Sequence, residues 1–160
     1  MENPHNELCE IRWASPEDWQ STMKMIWKTF MKYEAHDYSE EGIENFYDFL
    51  TNGRIYKMFL AGTYLMMIAL DENRVIGVIS VRNGNHISLL FVDEEYHHKG
   101  VGSELMRRMG EYLKYSKNEV YVTVKAAPYA VGFYRRLGFH VCSPEQEFSG
   151  IRVTSMEKFL

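Results

Sequence analysis

After an apolar run of strand length, His86 to Val92, and the polar Asp93-Glu94-Glu95, the seven residues His97-His98-Lys99-Gly100-Val101-Gly102-Ser103 lead into a stretch whose apolar residues recur at helical spacing. Their types suit an anion. Glycine at 100 and 102 permits main-chain conformations that other residues resist and lets a ligand come close to the backbone. The first N–H groups of a helix have no partner inside it, and the helix dipole adds partial positive charge at that end. Lys99 adds a full charge. A hydrogen bond to a charged oxygen is worth roughly 1.5–3 kcal/mol net, so three or four would anchor a diphosphate. A tight strand-to-helix turn needing glycine for geometry alone would carry the same pair, so the two glycines decide nothing by themselves.

Other sites can be tested against the letters. The dinucleotide fingerprint G-x-G-x-x-G needs a third glycine where this chain has Leu105, and G-x-x-x-x-G-K-[ST] is absent. No metal site is indicated: His97 and His98 are adjacent rather than placed on one face, H-E-x-x-H does not occur, and Cys9 and Cys142 form no C-x-x-C. Reduced, buried thiols are expected. Further titratable groups lie in Tyr33 to Tyr38, a polar and aromatic segment that includes Glu34, His36 and Asp37, and at His86, Tyr134 and Glu147.

The elements that must position these groups can be read from periodicity. Val101, Leu105, Met109 and Leu113, with Met106 beside them, form the buried stripe of a helix. Glu104 stands early in it and Arg107, Arg108, Lys114 and Lys117 late, the order the dipole prefers. Leu8 to Ala14 alternates as a strand with one buried face. Ser15-Pro16-Glu17-Asp18 opens a helix carrying Trp19, Met23, Ile26, Trp27 and Phe30 into the core. A second helix starts at Ser39, carries Ile43, Phe46, Tyr47 and Leu50 on one face, and stops at Asn52-Gly53. Arg54 to Gly62 carries no clear period. Tyr64 to Leu70, Val75 to Val81 and the His86 strand, joined by short polar turns, predict an antiparallel meander. Val120, Val122 and Val124 give a strand after the long helix, so strand, helix and strand form one parallel crossover. Pro128 starts another helix, Gly138 ends it, and Phe139 to Cys142 and Ile151 to Met156 supply the last strands. The expected fold is α+β: three layers, with a mixed, mostly antiparallel sheet flanked by helices on both faces.

The 160 residues suit a single domain, 1–160. A hydrophobic fraction of 46% and a charged fraction of 25% are those of an ordinary globular chain. The formal charge of −4 argues against nucleic acid as a partner. The amino-terminal letters lack the basic and apolar regions of a signal peptide. The longest apolar stretch, Tyr64 to Leu70, is far short of the ~20 residues that span a bilayer, so neither a membrane nor export is expected, and the compartment expected is the cytoplasm.

The strand followed by His97-His98-Lys99-Gly100-Val101-Gly102 resembles motif A, [QR]-x-x-G-x-[GA], of the GNAT superfamily of acyl-CoA N-acyltransferases, with histidine at the first position. A second patch, Ala126 to Phe139, is similar to the family's N-x-x-P-x-A-x-x-F-Y-x-x-x-G-F in Pro128, Ala130, Phe133, Tyr134, Gly138 and Phe139, with Lys125 in place of the asparagine. Together they cover the chain from Thr63 onward.

The resemblance implies acetyl-CoA as acyl donor, lying where the two parallel strands splay apart. Its pantetheine would pair with the main chain of Leu90, Phe91 and Val92, and its diphosphate would sit on the loop from His97 to Ser103. Tyr134 would stand near the thioester sulfur as the acid, and Glu34, His36 and Asp37 would grip the acceptor. The implied reaction is acetyl transfer to a primary amine of a small molecule or peptide, with His86, His36, Glu34, Glu147 or a water as base. A non-catalytic acyl-CoA-binding module is the alternative, and the phenol at 134 favours the enzyme. Self-pairing through the C-terminal strands would give a homodimer.

Overall fold

A computed structural model describes residues 9–148 and 150–160; Leu8 and the segment before it lie outside. In chain order the elements are β1 (Glu10–Trp13), α1 (Trp19–Tyr33), α2 (Glu40–Thr51), α3 (Arg54–Leu60), β2 (Leu65–Asp71), β3 (Arg74–Arg82), β4 (His86–Val92), α4 (Val101–Lys117), β5 (Tyr121–Ala126), α5 (Val131–Arg136), β6 (His140–Val141), β7 (Gln146–Phe148) and β8 (Ile151–Phe159). The strands make one open sheet in the order β1-β2-β3-β4-β5-β8-β6, with β7 against β8. Among the described residues only β4 and β5 run parallel, joined through α4.

Alternation along the strands divides the core in two. Met66, Ile68 and Leu70 of β2 pack with Ile26 and Phe30 of α1, whereas Met67 and Ala69 pack with Leu105 and Met109 of α4. The layers are therefore helix, sheet and helix, as the periodicity predicts. Leu105, Met109 and Leu113 are fully buried, each worth about 1.5–3 kcal/mol in apolar surface removed from water. Leu105→Ala, with a cavity left behind, would cost about 2–5 kcal/mol.

The start of α1 is pinned before the helix proper. Asp18 accepts from the Ser15 N–H at 2.7 Å and from both guanidinium nitrogens of Arg12 at 2.8 and 3.1 Å, which hold its carboxyl down at about 2. Ser39 Oγ accepts from the Gly42 N–H at 3.1 Å and so caps α2.

Four details differ from the sequence expectation. Arg54 to Leu60 forms α3, entered through Gly53 at φ 84°, and seven residues are too few to display a helical period. Pro128 opens a 3₁₀ turn through Ala130, and the α-helix begins only at Val131. The short, fully exposed β7 carries no apolar alternation to betray it. Cys142 is exposed rather than buried and Cys9 is half-buried, because β6 is an edge strand without a covering layer.

One irregularity shapes the site. β4 pairs with β5 only at His86↔Thr123 and Ile87↔Val124. On its other side Val81 faces Ile87 but Ser80 faces Leu89, so Ser88 is an extra residue, a bulge at the point where β4 parts from β5. The buried Tyr64 hydroxyl holds it, donating to Ser88 Oγ at 2.9 Å and lying 2.8 Å from Ser80 Oγ.

Candidate active site

Past Ser88 the β5-facing edge of β4 has no strand partner among the described residues. The Asp93 N–H donates to Ile76 O at 2.8 Å, so by alternation Phe91 also directs its main-chain groups toward β3, while Leu90 and Val92 turn theirs into the gap. His97 Nε2 lies 2.7 Å from the Val92 carbonyl, to which it donates, folding the loop back on the strand end.

The loop then reaches α4 through two left-handed residues, His98 at φ 62° and Gly100 at φ 82°. The first intrahelical bond runs from the Glu104 N–H to Gly100 O at 3.0 Å, which leaves the N–H groups of Val101, Gly102 and Ser103 without helical partners. Gly102 serves a close approach: a β-carbon there would lie 3.1 Å from Phe133 Cζ. Strand edge, loop and α5 enclose a cleft of about 480 Å³ whose lining includes Leu90, Val92, His97, His98, Gly100, Val101, Gly102 and Ser103, a size ordinary for a small-molecule site.

Glu34 and Tyr134 also line the cleft. Tyr134 is 5% exposed and sits edge-on to Phe133 and Phe139, with ring centroids 5.4 and 5.2 Å away. Burial, and secondarily the Glu34 carboxylate, push its phenol well above the usual 10. Glu34 ends α1 as its C-terminal cap. Burial, with a contribution from Asp37, lifts its carboxyl to about 7. The chain thus brings an acid of raised pKa and a phenol to one cavity from distant parts of the sequence.

The other predicted site residues fall elsewhere. Phe91 turns its ring into the α1-side core against Phe46, 6.1 Å between centroids. Lys99 lies over the Tyr96 ring at 5.4 Å and is not among the lining residues. His36 is exposed and within 3.6 Å of Asp37, and neither lines the cleft. His86 stands at the closed end of the splay, where its Nδ1 meets Thr123 Oγ1 at 2.8 Å and burial lowers its pKa to about 4. Glu147 is exposed on β7. The cleft also takes in Tyr96, Tyr129, Ala130, Phe133 and Arg136. All but Tyr96 belong to the patch from Ala126 to Phe139, so the signal for them was present in the letters. Tyr33 completes an aromatic rim, 4.9 Å from the His97 ring and 5.8 Å from that of Tyr129. Among the described residues no helix is long and apolar enough to cross a membrane.

Three solved structures share the fold over nearly their whole length. A GCN5-related N-acetyltransferase from Rhodopseudomonas palustris is 25% identical, with a TM-score of 0.81 over 94% of this chain and 95% of its own. PaiA N-acetyltransferase from Thermoplasma acidophilum, solved with coenzyme A, is 23% identical, with a TM-score of 0.80 over 95% and 99%. Spermidine N-acetyltransferase from Vibrio cholerae, solved with CoA and spermine, is 17% identical, with a TM-score of 0.68 over 96% of each chain. No curated protein matches by sequence. Residues 34–160 match the acetyltransferase (GNAT) domain, a span that reaches further back than Thr63 and takes in Glu34, and the chain belongs to the GNAT acetyltransferase family.

Proposed function

We propose that this acetyltransferase moves an acetyl group from acetyl-CoA to a primary amine of a small molecule or peptide by direct attack on the thioester. The observation that carries the reading is the meeting of Glu34 and Tyr134 in one cleft at the open end of the β4–β5 splay.

The residues present suit such a donor. The unpartnered N–H groups of Val101, Gly102 and Ser103, with the loop from His97 to Gly100, would take the diphosphate, and Arg136 adds charge at the same cleft. The main-chain groups of Leu90 would pair with the pantetheine amides as an added strand would, while the Val92 carbonyl stays with His97. The Val92 N–H would meet the thioester carbonyl and stabilise the charge that grows on its oxygen.

Glu34 takes a proton from the ammonium form of the acceptor, directly or through one water, and a carboxyl near 7 does so at neutral pH without losing its driving force. The neutral nitrogen then forms a bond to the carbonyl carbon. The carbon–sulfur bond breaks and Tyr134 gives its hydroxyl proton to the leaving thiolate. The acylated nitrogen gives up its extra proton to water as the amide forms, and transfer of the Glu34 proton to the phenolate restores both groups, so one proton is released overall for each ammonium acceptor consumed. The raised phenol pKa keeps Tyr134 protonated at neutral pH, so its proton is in place when the thiolate forms.

A screen of primary amines, small and peptidic, with acetyl-CoA and detection of free thiol tests the proposal. Acceptor-dependent thiol release is the expected result. Acetyl-CoA binding without turnover on any amine would mark the chain as a non-catalytic binder.

A further inference from the structure

Away from the cleft, the described residues gather one cluster of unlike metal-binding side chains: His140, Cys142 and Glu157, whose ligand atoms all lie within 4.8 Å of one another. Three strand relations produce it. His140 is the direct cross-strand partner of Glu157, and its Nε2 stands 3.1 Å from Glu157 Oε1. The Cys142 N–H donates to Ser155 O at 2.8 Å, so the β6–β8 pairing continues past β6 and Cys142 shares the face of His140 two residues earlier. The His140 ring lies nearly parallel to that of Phe159, 6.0 Å between centroids, which restricts its rotation. All three side chains reach solvent.

We propose that His140, Cys142 and Glu157 form a three-ligand surface site for zinc or a similar borderline divalent cation, with water in the fourth position. The donor set selects the metal class. One imidazole nitrogen, one thiolate and one carboxylate suit Zn²⁺ and Co²⁺, whereas Mg²⁺ and Ca²⁺ require oxygen ligands throughout. The thiol binds as thiolate and releases its proton to solvent, and with the carboxylate it neutralises the divalent charge. Bonds of about 2.0–2.3 Å place tetrahedral donor atoms roughly 3–4 Å apart, so small side-chain rotations close the site. Spacing along the chain conceals it, because H-x-C is unremarkable and Glu157 arrives from another strand. A bound metal would clip β6, with its two paired residues, onto β8.

Tag-free chain, stripped with a chelator and titrated with Co²⁺, should show one equivalent of binding with a thiolate-to-cobalt charge-transfer band that Zn²⁺ abolishes by competition. Cys142→Ser should remove the band and Cys9→Ser should keep it. Glu157→Gln should retain the metal-free melting temperature and weaken binding at least tenfold. A parent without a thiolate band, a band that survives Cys142→Ser, or Glu157→Gln binding as tightly as the parent would overturn the assignment. Acetyl transfer does not enter these readouts, so they stand or fall apart from the proposed function.

Discussion

Glu34 offers a test in which stability and activity respond to one substitution in opposite directions. Its carboxyl moves from the usual 4.5 to about 7 on folding, because burial disfavours the charged form and Asp37 repels it. The native state therefore holds the proton more tightly than the unfolded chain does. Between about pH 4.5 and 7 the native state binds more protons than the unfolded state, and stability falls as pH rises across that window. At pH 8 the full cost is present, ~3 kcal/mol at most for a change of this size. Glu34→Gln, isosteric and uncharged, removes it. For a chain of this length the melting temperature at pH 8 should rise by up to roughly 6–12 °C, with no gain at pH 4, where the carboxyl is protonated in both states. The same variant should lose turnover by roughly 10²–10⁴, the usual worth of a positioned base. In the parent, kcat/KM should climb with pH and level off above about 7, and Asp37→Asn should move that limb to lower pH. Scanning calorimetry at the two pH values and steady-state kinetics on one acceptor measure both effects. An unchanged melting temperature at pH 8, with turnover within threefold of the parent, would refute both the desolvated carboxyl and its role as base.

Three further outcomes follow from the geometry. Tyr134→Phe keeps the ring between Phe133 and Phe139, so acetyl-CoA affinity and melting temperature should stay near the parent values while turnover drops by roughly 10²–10⁴; turnover within threefold at neutral pH would show that another proton source serves the thiolate. Gly100→Val puts a branched side chain at φ 82°, a conformation costing ordinary residues roughly 1–2 kcal/mol, and calorimetric titration should find donor binding weakened at least tenfold. Tyr64→Phe strips the hydroxyl that joins Ser80 to Ser88 and should cost about 1–3 kcal/mol in chemical denaturation, with donor affinity falling as the bulge relaxes; unchanged affinity would separate the bulge from the site.

The parts legible in the letters are those where burial repeats with a period. The stripe of Val101, Leu105, Met109 and Leu113 announces α4 because each residue enters the same core, and the glycines before it announce the turn because the backbone at Gly100 is left-handed. The grouping of Glu34 with Tyr134 is implied by the family resemblance and is not written in any local spacing. It depends on the end of α1 and the body of α5 lining the same cleft, which is a tertiary fact. His36 and Asp37 look equivalent to Glu34 in sequence, yet the chain turns after α1 through a 3₁₀ segment that sends His36 to solvent. The bulge at Ser88 exists only as a register between strands, and the availability of Leu90 and Val92 is a property of main chain, about which their side chains say nothing.

The short β4–β5 pairing has a mechanical consequence. Two residue pairs and one helix are the main tie between the part of the sheet carrying β5, β8 and β6 and the part carrying β1 to β4, so the sheet is close to being two sheets that share a seam. A ligand whose amides bridge the opened seam acts as mortar. Amide hydrogens of β5 and β8 should then exchange with solvent more slowly when such a ligand is bound, even at residues that never touch it, because the seam must open for that part of the sheet to loosen.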